Sequence, residues 1–144
     1  MRYKPKKTNK IAVIISDDNF FNKTQQKLIP LLIGYKVKVF NNFLDSLDFF
    51  NCAEADKCFL VFIKYKSKCI EQLQQIYLLL KRKLKSKLKK NIVFILALDR
   101  KETFTITNQW AKKEQRCIVI NTPIHRNKLS FIMAEKLFTN YAIA

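Results

Sequence analysis

The chain has 144 residues, 49% of them apolar and 12% aromatic, which is enough for one folded domain with a substantial core. A single Gly excludes glycine-rich phosphate loops, and no apolar run approaches the roughly 18–20 residues of a membrane span. Lys and Arg number 28 against 11 acids, a formal charge of +17 that favours polyanionic partners such as RNA, DNA or an acidic protein face.

The side chains that usually carry catalysis are sparse. Cys52, Cys58, Cys69 and Cys117 form no CxxC pair, and only His125 could join them, so neither a zinc site nor a Cys–His hydrolase is expected. The cysteines read as isolated thiols of a reducing compartment. The apolar run after the basic N-terminus is too short for a secretory h-region, which points to a cytoplasmic protein. No enzymatic activity, metal or cofactor is expected.

Residues 1–10, with Arg2, Lys4, Lys6, Lys7 and Lys10, form a basic tail, and residues 11–140 read as one domain. Ile11–Ile15 is a continuous apolar run, consistent with a strand buried on both faces. The cluster Ser16-Asp17-Asp18-Asn19 supplies helix N-caps. Phe20, Phe21, Leu28, Leu31 and Leu32 mark the helix that follows; Pro30 bends its last turn, and Gly34 takes the left-handed position after it. Lys36–Phe40 alternates as a more exposed strand, and Phe43, Leu44, Leu47 and Phe50 follow at helical spacing.

Phe59–Ile63 is a third, buried strand. Apolar residues from Ile70 to Leu88 then recur at helical steps, which predicts one amphipathic helix of about five turns ending in the basic run 81–90. Ile92–Leu96 and Cys117–Ile120 are the fourth and fifth strands. A helix over about 101–113 lies between them, and another runs from about Asn127 to Phe138. Strands alternating with helices imply an α/β fold: a doubly wound, five-stranded parallel sheet covered on both faces. Sites in such sheets gather where the strands end.

In order and spacing, these features resemble the receiver domain of bacterial response regulators over residues 10–138. The segments that carry the resemblance are IAVIISDD, LIPLLIGYKVKVFNNFLDSLDFF, NIVFILALD and NTPIHRNKLSFIMAEKL. It implies the flavodoxin-like, CheY-like (βα)₅ three-layer sandwich, with a cis peptide before Pro123. It also implies phosphorylation of an Asp at the end of the third strand, assisted by Mg²⁺ on an acidic pair, a hydroxyl and a Lys. Here the acidic pair, Asp17 and Asp18, is present. The acceptor position falls on Lys64, the hydroxyl position on Leu96 and the sensing Lys on Thr122. A Lys cannot form an acyl phosphate. The resemblance is therefore to a degenerate pseudo-receiver whose vestigial site comprises Asp17, Asp18, Lys64, Leu96, Thr122 and Pro123.

Read without the family, Asp17 and Asp18 are either caps of the first helix or partners of Lys64 in an ion pair at the head of the sheet. The run 81–90 is either a solvated helix face or an anion-binding arm. In the second reading Leu84 and Leu88 anchor it, and Lys81, Arg82, Lys83, Lys85, Lys87, Lys89 and Lys90 face outward. Lys outnumbers Arg 23 to 5 and no aromatic interrupts the run, so contact would be with phosphates and without base readout.

The first expectation is a non-catalytic signalling module, independent of phosphorylation. It would act on a protein partner or a second copy of itself through the last helix and the face of the fourth helix and fifth strand. The alternative is a basic scaffold for RNA or DNA on the same fold. The two differ in how steeply binding falls with salt.

Overall fold

The computed structural model describes residues 9–99, 116–124 and 126–132. Five strands, β1 (Ile11–Ser16), β2 (Lys36–Phe40), β3 (Cys58–Lys64), β4 (Val93–Leu98) and β5 (Cys117–Asn121), form one parallel sheet in the order β2-β1-β3-β4-β5. The described helices are α1 (Asn19–Ile33), α2 (Phe43–Phe50), α3 (Ile70–Lys83), α4 (Ser86–Asn91) and α5 (Arg126–Ile132). A 3₁₀ turn at Ala53–Lys57, which the sequence pattern did not announce, leads into β3. The helices expected over 101–113 and beyond residue 132 lie outside the described residues.

The continuous apolar strands are explained by burial on two sides. Every residue of β1 and β4 is buried, and alternate side chains enter different cores. Val13, Ile15, Val61, Ile63, Phe94 and Leu96 pack in one layer with Phe49, Leu73, Tyr77 and Leu80 of α2 and α3. Ile14, Leu60, Phe62, Ile95 and Ala97 pack in the other with Phe21, Ile29 and Leu129 of α1 and α5. This two-residue period decides which strand-end side chains can meet beyond the last core layer.

Local signals close the elements as expected. The Asp18 carboxylate accepts the Phe21 N–H at 3.1 Å, and Gly34, at φ 72°, donates its N–H to the Pro30 carbonyl at 3.0 Å. The phase of α1 differs from the expected one. Phe21 is buried edge-on against Phe62, with centroids 6.1 Å apart, whereas Phe20 and Leu31 face solvent at 79% and 70% exposure. The buried stripe of α1 carries Asn22 and Gln25 in place of two apolar residues.

The five-turn helix expected from Ile70 to Leu88 is instead two helices. Leu84 and Lys85 are extended, at ψ 142° and 148°, and separate α3 from α4. Length explains the break. A straight helix over residues 70–91 would run about 33 Å at 1.5 Å per residue. The seven residues of β3 span only about 23 Å. Such a helix would overshoot the sheet before the chain could return for β4. Repulsion among cations three and four residues apart also weakens the helix there. Leu84 and Leu88 are both buried despite the break, and the cations around them are exposed or partly exposed.

Candidate functional site at the head of the sheet

β1, β3 and β4 end side by side, and the residues just past their cores meet. Lys64 is the last residue of β3. By the two-residue period its side chain leaves the sheet on the α1 face, where it is 1% exposed. Its Nζ lies 3.0 Å from Asp99 Oδ1, just beyond β4, and 3.4 Å from Asp18 Oδ2, at the start of α1. A buried ammonium thus sits between two carboxylates that reach solvent, Asp18 with its side chain 16% exposed and Asp99 with 56%.

Asp18 serves two roles with its two oxygens. Oδ1 caps α1 through the Phe21 N–H, and Oδ2 faces Lys64. Partial burial pushes its carboxyl pKa up; the Phe21 N–H and the Lys64 ammonium outweigh this and hold it below the ordinary value. The cap and the ion pair, alternatives in the sequence, coexist in the structure.

Asp17 does not join the pair. It is exposed, and its Oδ1 accepts the Lys66 N–H at 3.0 Å, which ties the turn after β1 to the loop after β3. Its charge, after burial, contributes to raising the pKa of the Tyr65 phenol.

Thr122 does reach the cluster. Its hydroxyl donates to the Leu98 carbonyl at 3.1 Å and lies 3.3 Å from Asp99 Oδ1, and its N–H donates to the same carbonyl at 2.7 Å. The Thr122–Pro123 peptide is cis. Leu96 is not brought to the site. It is fully buried in the α2–α3 layer, on the side of the sheet away from Lys64. Ile63 pairs with Leu96, which puts Lys64 level with Ala97, and one further alternation leads to Asp99.

Asp99 is the site residue that the sequence reading missed. The signal was available in the NIVFILALD segment: an acid directly after the last buried strand residue, in phase with the α1 face. A cleft of about 260 Å³ opens over the cluster, lined by Asp18, Phe21, Gln25, Lys64, Asp99 and Pro123 among others. The Oε1 atom of Gln25, a residue 1% exposed, is buried there without a hydrogen-bond partner.

The other predicted set stands elsewhere. Lys81, Arg82, Lys83, Lys85, Lys87, Lys89 and Lys90 lie along the end of α3, the break and α4, at the edge where the strands begin, opposite Lys64. Among the described residues no helix is long and apolar enough to cross a membrane.

No family model and no curated protein sequence matches the chain. Solved structures share its fold. A response regulator receiver protein from Dyadobacter fermentans superposes with a TM-score of 0.64 at 17% identity, covering 88% of this chain and 97% of its own. A response regulator receiver domain protein from Clostridium thermocellum gives 0.63 at 14%, covering 94% and 99%. A pilus assembly-related protein from Burkholderia pseudomallei also gives 0.63 at 14%, covering 94% of each chain. These likenesses establish the receiver-type α/β fold.

Proposed function

We propose that this chain is a pseudo-receiver: a non-catalytic, phosphorylation-independent protein-interaction module of bacterial signalling, working in the cytoplasm. The observation that carries this reading is Lys64, a buried cation held between Asp18 and Asp99 at the end of the third strand. In the receivers that the fold resembles, this is the place of an acidic phosphoacceptor beside a Mg²⁺ held by carboxylates.

The residues present do not fit that metal. An ammonium 3.4 Å from Asp18 Oδ2 already supplies the positive charge a divalent ion would bring, and it would repel such an ion. An amine cannot give the acyl phosphate either. In this reading Lys64 holds the strand ends in one arrangement that needs no phosphoryl group. Output then passes through contact with a protein partner, or a second copy, on the outer helices.

The test is incubation of the protein with acetyl phosphate and Mg²⁺, followed by intact mass measurement. The expected result is no gain of a phosphoryl group. A phosphoryl adduct removed by hydroxylamine would overturn the reading, since it would place an acyl phosphate on one of the remaining acids.

A further inference from the structure

We infer that the end of the sheet where the strands begin is a binding face for the phosphate backbone of duplex nucleic acid. The topology builds this face, and the basic run is only part of it. In a parallel sheet all strands start at one edge, so residues that precede strands are gathered whatever their distance in sequence. Lys10 precedes β1, Lys36 opens β2, Lys57 precedes β3 and Arg116 precedes β5.

The seven cations of residues 81–90 complete the row. α3 descends from the Lys64 end and α4 leads into β4, so their junction lies at the same edge. Leu84 and Leu88 belong to the core cluster of the α2–α3 layer, which also takes in Ile11, Cys58 and Cys117, the first residues of β1, β3 and β5. Around the junction Arg82, Lys83, Lys85, Lys87 and Lys90 are exposed.

Acids stand at both ends of the sheet, but few at this one. Glu54 and Asp56 lie on the turn before β3, and Glu54 is engaged by Lys38 at 2.9 Å. Asp17, Asp18 and Asp99 stand past the far ends of the strands. Among the described residues, the strand-start end thus carries the eleven cations named above against Glu54 and Asp56, whereas at the far end Lys64, Lys66 and Lys68 are matched by Asp17, Asp18 and Asp99. Such a field is far stronger toward a line of phosphates than an even scatter of the same lysines.

The chemistry of the face selects the partner. Five strand starts at about 4.8 Å spacing span about 19 Å. A duplex presents about eleven phosphate charges over that length, at one per 1.7 Å. No aromatic side chain interrupts the run, and at the strand starts Tyr35 is buried and the Phe59 ring lies 4.8 Å from the Lys10 ammonium, which argues against stacking on single strands. Within the run the apolar side chains, Leu84 and Leu88, are turned into the core and not left to enter lipid, which argues against a membrane surface. Lysine ammonium groups meet phosphates as point charges and read no bases, so binding is independent of sequence.

The experiment is titration of a labelled mixed-sequence DNA duplex with the full chain over about 50–200 mM salt, where counterion release sets the slope of log K. Three variants are compared, each checked for unchanged thermal unfolding. One is Lys83→Gln/Lys85→Gln/Lys87→Gln/Lys89→Gln, at the α3–α4 junction. The second, Lys36→Gln/Lys57→Gln/Arg116→Gln, alters only the strand starts. The third, Lys23→Gln/Lys27→Gln/Lys66→Gln/Lys128→Gln, removes charge from other surfaces.

The expected result is a steep slope that the first two variants flatten by about 0.9 per lost phosphate contact. The third should leave it as in the unaltered protein. Three outcomes would overturn the inference: no duplex binding at the lowest salt, equal flattening by all three variants, or binding to phosphatidylserine vesicles in preference to the duplex.

Discussion

Lys64 Nζ and Asp99 Oδ1 stand 3.0 Å apart although 35 residues separate them, because parallel strands β3 and β4 end side by side in register. The pair is lopsided. The ammonium is buried to 1% exposure, while the Asp99 side chain is 56% exposed and remains largely hydrated. Most of the cost of bringing charge out of water therefore falls on Lys64, and the carboxylates exist in this arrangement to offset it.

This asymmetry predicts unequal mutational effects. Asp18→Asn/Asp99→Asn leaves the buried ammonium without a counter-charge and should cost roughly 3 kcal/mol or more. Lys64→Met removes the buried charge itself and leaves two carboxylates with access to water; its cost should be at most about 1 kcal/mol. Urea unfolding of the two variants, side by side, measures the difference. Equal losses would show that the carboxylates are not the counter-charge of Lys64.

The Asp18 pair also makes stability depend on acid. Because its folded pKa is held below the ordinary 3.8, the folded state favours the ionised carboxyl. That contribution is complete above about pH 5. It declines as pH falls through 3.8 and is gone below the folded pKa. In Lys64→Met the Asp18 carboxyl should titrate at higher pH than in the unaltered protein, with the Phe21 N–H still accounting for part of the lowering. Carboxyl chemical shifts followed across an acid titration would show it, and an Asp18 titration identical in the two proteins would contradict it.

The four thiols should divide by placement. Cys58 is buried at the start of β3, its Sγ 3.7 Å from the Leu60 carbonyl oxygen, and burial pushes its pKa up to about 12. Cys117 is buried as well, whereas Cys52 and Cys69 are exposed. A thiol reagent applied to the native protein at neutral pH should modify Cys52 and Cys69 promptly, with Cys58 and Cys117 reacting only after unfolding. Mass mapping of the modified sites checks this. Prompt modification of Cys58 would show that the sheet edge opens readily.

The amino-acid order by itself was enough for the sheet and the caps. Buried parallel strands such as β1, apolar from Ile11 to Ile15, and Val93–Leu98, apolar throughout, have a pattern legible without knowledge of their neighbours. Asp18 and Gly34 act on backbone groups a few residues away, so their roles are local too. The absence of an acid between Asp56 and Glu71 is visible at a glance.

Tertiary structure alone decided the rest. Helical spacing cannot tell that α3 must stop at Lys83, because the limit is the length of the strand it covers. Nor does spacing choose which of Phe20 and Phe21 faces the sheet; packing against Phe62 does. Asp17 and Asp18 are adjacent and chemically identical, yet only Asp18, at the helix start, reaches Lys64, while Asp17 binds a backbone N–H. Asp99 joins them, and Leu96 is excluded, through the alternation of a strand whose phase is set by the sheet. Charge, likewise, is a property of composition until parallel topology brings Lys10, Lys36, Lys57 and Arg116, which precede or open strands, to one edge.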